Sequence, residues 1–163
     1  MDFIFRHACV TFIVVTIANY FILKSRTQKY VDQNPELKIG YDKLFKVLLI
    51  YGNIPWVIMA IGDLTSQTNG LFDYFNPKSF NPFVLAFHFY IIIIWVLSVR
   101  WVYFKNGADF LLTHPGFIHI RGFGNSITPT SNLIKVFFAL ALLGGIAGMT
   151  MMWLVDLPNF PIK

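Results

Sequence analysis

Four long apolar stretches, separated by polar connections, set the pattern of this chain. The most uniform stretch runs from residue 82 to residue 104, has no acidic side chain and carries four consecutive isoleucines at its centre. Because an α-helix rises ~1.5 Å per residue, a helix of this length covers ~35 Å, slightly more than the ~30 Å hydrocarbon layer of a bilayer. We therefore expect it to cross a membrane. A buried helix of a soluble domain would need amphipathic helices around it, and the chain offers almost none.

The same pattern, applied to the whole chain, predicts an all-α integral membrane protein. We expect one membrane domain over residues 1–163, a four-transmembrane-helix bundle with short loops and one longer cytoplasmic loop. The predicted spans are residues 3–23, 44–62, 82–104 and 133–155. The polar residues 24–43 are predicted to form a short surface helix with a turn. In the longest connection, residues 108–113 are predicted to be helical and residues 117–121 alternate like a short strand.

The first apolar stretch lies where a secretory signal peptide would lie. A signal peptide has a shorter apolar core and a cleavage site with small residues after it. Here a polar run beginning at Lys24 follows the apolar residues directly. The first stretch is therefore predicted to be a retained membrane helix.

Composition supports a membrane protein and argues against several other classes. Hydrophobic residues make up 56% of the chain and charged residues only 13%, against roughly a quarter charged in soluble domains, and the mean hydropathy is +0.59. The net charge of +5 comes from bases scattered beside apolar runs, so no basic stripe for nucleic acid can be drawn. Cys9 is the one cysteine, which excludes an internal disulfide, a CxxC pair and a thiolate zinc site.

The distribution of lysine and arginine predicts the orientation. Ten bases lie in or next to the connections after the first and third spans, and three lie on the other side. Basic residues are retained on the cytoplasmic side, so we expect both the N-terminus and the C-terminus to be extracytoplasmic. Short loops and the absence of an N-x-S/T motif favour a bacterial plasma membrane.

Small residues in the fourth span predict a helix-packing face. They are Ala141, Gly144, Gly145 and Gly148, and they include a G-x-x-x-G pair. Such residues let two helix backbones approach closely, which is how helices associate in lipid. Two partners fit this pattern: another helix of the same bundle, or the fourth helix of a second copy in a homo-oligomer.

Two histidines form a candidate cofactor site. His7 lies about one turn into the first predicted span and His88 less than two turns into the third, so both rings are expected at similar depth on the same side. Two imidazoles facing each other across a bundle can hold haem b or a metal ion. The alternative is that each ring is bonded to water or to a loop carbonyl, and no acidic partner stands beside either one in the sequence.

The long connection carries the densest group of titratable side chains, among them His114, His119 and Arg121. The two histidines are five positions apart with Pro115-Gly116 between them, a spacing that does not match helical metal sites. We interpret this loop as a surface for a partner or for lipid headgroups.

A candidate substrate path lies in the second span. Asn53 brings an amide to membrane depth, and Pro55 removes a backbone donor, so a kink is expected there. Broken helices with polar groups occur in transporters and channels. The structural alternative is a kink whose amide is bonded within the protein.

The leading functional hypothesis from the sequence is a non-enzymatic membrane subunit or scaffold that packs through its fourth helix. The sequence has no nucleophile elbow, HExxH motif, phosphate loop or carboxylate dyad. On this hypothesis the partners are the lipid bilayer and a homo-oligomer or larger membrane complex, and no cofactor is expected. The alternatives are a haem- or metal-binding electron carrier using His7 and His88, and a small-solute transporter or channel with a kinked second helix.

Overall fold

The structure is a computed structural model that describes residues 5–118, 120–121 and 126–155. Apart from one two-residue β-ladder, its regular structure is helical, and four helical segments are long and apolar enough to cross a membrane. They span Ala8–Gln33, Pro35–Leu64, Pro82–Phe104 and Ser131–Leu154. His119 lies outside the described residues, and for Arg121 only the backbone is described.

The elements follow one another in a simple up-and-down order. Helix α1 covers Ala8–Gln33, and the second span consists of a 3₁₀ turn at Pro35–Leu37, α2 at Lys38–Lys46, a π-helical turn at Val47–Tyr51 and α3 at Ile54–Leu64. The third span is α4 at Pro82–Val99 with a π-helical turn at Arg100–Phe104. Two 3₁₀ turns at Leu71–Phe75 and Pro77–Ser79 precede it. After α5 at Gly107–Leu112, β1 (Ile120–Arg121) pairs antiparallel with β2 (Ser126–Ile127), and α6 covers Ser131–Leu154.

The third span has the predicted bounds, whereas the polar connection after the first span is different from the prediction. Instead of a separate surface helix with a turn over residues 24–43, α1 continues unbroken to Gln33. Lysine, arginine and glutamine are good helix formers, so a polar sequence here does not stop the helix. The break comes only at Asn34, where the following proline disfavours a helical backbone and the Asn34 side chain accepts a hydrogen bond from the Glu36 N–H. The first two spans therefore form a long helical hairpin.

The second span is interrupted where the sequence predicts a kink. The π-helical turn ends at Tyr51, and a new helix begins at Ile54 with Pro55 in its first turn. The Asn53 side-chain amide donates to the Leu49 carbonyl at 2.7 Å. A backbone acceptor at the interruption is thus satisfied from within the same segment, as membrane depth requires.

The connections after the first and third spans meet at one end of the molecule. Tyr41 is buried there and its hydroxyl donates to the Pro115 carbonyl at 2.6 Å, while the Phe45 and Phe117 rings lie 5.9 Å apart. Most of the bases counted above lie in these two connections, so we call this the basic end. The opposite end holds the start of α1 and the 65–81 loop, where Phe5 meets Phe72.

Large apolar side chains point away from the protein along all four spans. Examples are Phe89 at 66% exposure, Val96 at 61% and Leu143 at 62%. In the most apolar window of α6 only 6% of residues are buried, against 22% in the second span. Exposing this apolar surface to water would cost ~25 cal/mol per Å². The four helices are therefore consistent with an integral membrane protein.

Gly40→Ala is expected to destabilise the basic end. An added Cβ at Gly40 would overlap the ring of His114, which is itself held by its Nδ1 donating to the Phe110 carbonyl at 2.8 Å. Overpacking of this kind costs ~1–3 kcal/mol. We expect a lower thermal unfolding midpoint in detergent for Gly40→Ala.

The double variant Gly40→Ala/His114→Ala supplies the control for that change. Removing the ring makes room for the new methyl group, so Gly40→Ala should cost almost nothing in the His114→Ala background. Equal costs in both backgrounds would show that the two residues do not interact as described.

Candidate functional site

One face of α6 packs against the third span. A Cβ added at Gly145 would lie 2.8 Å from Cζ2 of Trp95, so the absence of a side chain at Gly145 makes room for the Trp95 ring. Nearer the basic end, the Tyr103 hydroxyl donates to the Lys135 carbonyl at 2.7 Å. At the other end, Trp153 meets His88 edge to face. The small size of Gly145 is therefore required by packing within the single chain.

The neighbouring face of α6 is open. A Cβ added at Gly144 or at Gly148 would find no described atom outside its own helix within 4 Å, and Ala141 and Gly144 are exposed. Positions four apart on a helix differ by ~40° around its axis, so Gly144 and Gly148 share one side. We call the surface of Ala141, Gly144 and Gly148 the glycine face. It is a shallow strip that no other described part of the chain covers.

Bulkier apolar side chains continue the glycine face above and below. Phe137 is 48% exposed and Met151 is 62% exposed. Phe137 lies four residues before Ala141, and Met151 lies three residues after Gly148. Small residues at the centre with larger ones at the ends give the shape that a second helix can approach closely. The sequence identified these glycines as packing residues, but only the structure separates Gly145 from the other two.

His88 lies in α4, is 3% exposed and bonds to the loop that precedes this helix. Its Nε2 lies 2.9 Å from the Tyr74 carbonyl oxygen. A carbonyl can only accept, so Nε2 carries the hydrogen and donates. Nδ1 is buried and has no hydrogen-bond partner among the described residues. Nε2 is thus engaged in holding the 71–75 turn against α4, and Nδ1 is the ring atom whose lone pair is left for an iron or zinc ion.

His7 has a different setting from His88. It is exposed and stands directly before α1, at the N-cap position, where its carbonyl accepts from the N–H groups of Val10 and Thr11. Within the residues that the structure describes, no three His, Cys, Asp or Glu side chains come close enough to hold a metal ion. The proposed pairing of the two rings around a cofactor stays a prediction.

Asp63 organises the loop that covers His88, a role that sequence reasoning did not assign. Its Oδ1 accepts from the Thr68 hydroxyl at 2.6 Å and from the Gly70 N–H at 3.0 Å. Tyr74 is buried beside this group, and burial raises the pKa of its hydroxyl while the hydrogen bond with Thr68 opposes the rise. The signal in the sequence was an acidic residue at the very end of an apolar span, five positions before a threonine.

The loop predicted to meet a partner is partly folded against the chain itself. His114 is 6% exposed and lies between the rings of Tyr41 and Phe110, at centroid distances of 5.0 and 4.2 Å. It is therefore a packing residue in this chain. Whether His119 and Arg121 present side chains to a partner is a prediction that falls outside the described side chains.

Asn53 and Pro55 lie at the interruption of the second span. Pro55 is buried, and the Asn53 Oδ1 atom is buried without a hydrogen-bond partner among the described residues. Neither residue lines the two clefts that we describe between helices: one on α1 and α2, the other on α4 and α6. A substrate path through this point stays a prediction.

Comparison with known families, curated proteins and solved structures found no match for this chain.

The described geometry predicts the tautomer of His88. Nitrogen NMR of protein labelled at histidine should show one imidazole with hydrogen on Nε2 that is lost in His88→Gln, because only that tautomer can donate to the Tyr74 carbonyl. A signal assigned to His88 with hydrogen on Nδ1 alone would contradict the described contact and free Nε2 for a ligand.

Proposed function

We propose that this chain is a non-enzymatic, multi-pass membrane subunit or scaffold that assembles through the glycine face of α6. The observation that supports it is the open space around Gly144 and Gly148. Within the described part of one chain these glycines contact nothing that requires their small size, although glycine costs ~1 kcal/mol against alanine in a helix. A second helix packed on the glycine face would explain why glycine is present here in spite of its cost to helix stability.

The occupant that we favour is α6 of a second copy. A helix face that is small at its centre and bulky at its ends is complementary to itself when related by a two-fold axis. The bilayer supplies no hydrophobic force between helices, so close backbone contact and packing must supply the attraction. Such a pair would be a homo-oligomer that can form the core of a larger membrane complex.

The proposal includes the predicted placement in the bilayer. Four apolar spans support an integral membrane protein, and the concentration of bases at the basic end supports a cytoplasmic position for that end. Both termini would then be extracytoplasmic. A bacterial plasma membrane remains the setting that we propose from the short loops.

The cofactor and transport hypotheses have weaker support. An electron carrier would need a metal or haem iron to reach the buried Nδ1 of His88, and would need His7 to move from an exposed position. A transporter or channel would need a polar path beside Asn53, whose amide is already bonded to Leu49. Both stay predictions, and the described contacts favour assembly through α6.

Gly148→Leu is expected to weaken self-association in liposomes. A leucine side chain on the glycine face keeps two backbones apart, and we expect a loss of at least about tenfold in the association constant, a change of ~1.4 kcal/mol. Energy transfer between copies carrying donor and acceptor labels, diluted with lipid, measures this constant. The matched control is Ala139→Leu, since Ala139 is half-buried like Gly148 and lies ~180° around the helix from it.

Oxidative cross-linking in membranes tests the same face by position. In a Cys9→Ala background, Ala141→Cys should form a disulfide dimer, whereas Leu143→Cys should not, because it is exposed but lies ~160° around the helix from Ala141. If the two variants cross-link equally and Gly148→Leu associates like the unmodified protein, with no other protein co-purifying, assembly through α6 is wrong.

A further inference from the structure

A charged cleft lies between the first two spans at the basic end. It has a volume of about 330 Å³, which is within the ~300–1,000 Å³ of typical small-molecule sites. Three lysines line it, Lys24 on α1 and Lys38 and Lys46 on α2, together with a single acidic residue, Asp42. Three positive charges and one negative charge leave the cleft with a net charge of +2. An anion is the ligand class that this lining favours.

The single carboxylate in the cleft is already paired. Lys38 Nζ lies 2.7 Å from Asp42 Oδ2, one turn along α2. The Lys24 ammonium lies 5.6 Å from the centre of the Tyr20 ring, and Lys46 has no acidic partner among the described residues. Two lysines, one on each helix, are thus left to meet an anion from two sides.

The position of the cleft along the helices points to a lipid headgroup. Lys24 directly follows the apolar part of α1, and Lys46 directly precedes the apolar run that begins at Val47. The Tyr20 and Phe45 rings lie 5.2 Å apart, which places the two helices at the same level there. The cleft is therefore at the depth where the apolar surface of the spans ends, which is the depth of phosphates in a bilayer.

The lining changes from charged to apolar in the direction of the membrane. Tyr20, Phe45 and Leu49 line the side that continues into the apolar spans, while Gln28 and Lys38 line the other side. An amphiphile with a phosphate next to two acyl chains matches this division, since the phosphate meets the lysines and the chains follow the apolar surface. Free phosphate would use only the charged half.

We propose that the cleft between α1 and α2 binds the phosphate group of an anionic phospholipid through Lys24 and Lys46. The shared chemistry is a phosphate anion held by two ammonium groups, as point charges and hydrogen-bond donors. This site is separate from the glycine face, so it does not depend on self-association through α6.

Native mass spectrometry of the full chain released from nanodiscs tests the proposal. The nanodiscs contain phosphatidylcholine with a minor fraction of phosphatidylglycerol. We expect one phosphatidylglycerol to remain bound in preference to phosphatidylcholine, and Lys24→Gln/Lys46→Gln to reduce that retention about 10- to 30-fold, as expected for loss of two lysines near a membrane surface. The same loss of charge in Lys29→Gln/Lys43→Gln, whose side chains do not line the cleft, should change retention less than about threefold.

A variant that binds the lipid more strongly distinguishes a change in the cleft from a folding defect, because a folding defect would reduce binding. Asp42→Asn releases Lys38 and raises the charge of the cleft from +2 to +3, so retention should rise about threefold or more. The self-association measured by energy transfer should be unchanged in all these variants, which keeps this proposal distinct from assembly through the glycine face.

Three results would overturn the proposal. Equal losses in the two double-glutamine variants would mean general attraction to an anionic surface and no site. No gain in Asp42→Asn would mean that the cleft charge does not set affinity. Displacement of the lipid by inorganic phosphate at equal concentration would mean that the site takes free phosphate and does not recognise a phospholipid.

Discussion

The outward-facing apolar surface of the four spans is the constraint on which the rest of the structure depends. Large side chains such as Phe89 and Leu143 point away from the protein, so side-chain burial inside the chain cannot be the main source of order along the spans. The hydrocarbon of a bilayer would remove the cost of exposing this apolar surface to water, and it would also require every backbone group to bond within its own segment. At the interruption around Asn53, the side-chain amide supplies such a bond by donating to the Leu49 carbonyl of the same segment.

Specific contacts concentrate at the two ends of the molecule, beyond the apolar parts of the spans. At the basic end, Tyr41 reaches across to Pro115, and His114 packs on Gly40. At the opposite end, Asp63 gathers the Thr68 hydroxyl and the Gly70 N–H, and His88 donates to the Tyr74 carbonyl. Each end thus ties together segments from different spans. Between the ends, helix contacts are mainly aromatic and aliphatic, such as the stacking of Phe12 on Trp56 at 4.1 Å.

The apolar pattern was sufficient to locate the spans because membrane crossing depends on length and hydropathy, which are local properties of the sequence. It failed at residues 24–33, because a polar, helix-favouring sequence can extend a helix into water as readily as form a loop. The apolar pattern also could not predict contacts between residues that are far apart in the sequence. That Gly40 faces His114, or that Tyr74 accepts from His88, follows from how loops pack on helices, and no periodicity encodes it. The short strand at Ile120 was anticipated only as an alternation, without its pairing to Ile127.

The glycines of α6 show why residue type alone could not assign the site. Gly144 and Gly145 are adjacent in sequence and identical in chemistry, yet ~100° of rotation separates them. Gly145 faces α4 and accommodates Trp95, whereas Gly144 faces outward and no described residue outside its own helix lies within 4 Å of a Cβ added there. The register of Trp95 against α6 therefore decides which glycines are used by the fold and which remain for another molecule. Because Trp95 and Tyr103 both fix α6 on one side, the helix cannot rotate to bury Gly144 and Gly148 without losing these contacts. The open face is a consequence of the same packing that holds the fourth span in place.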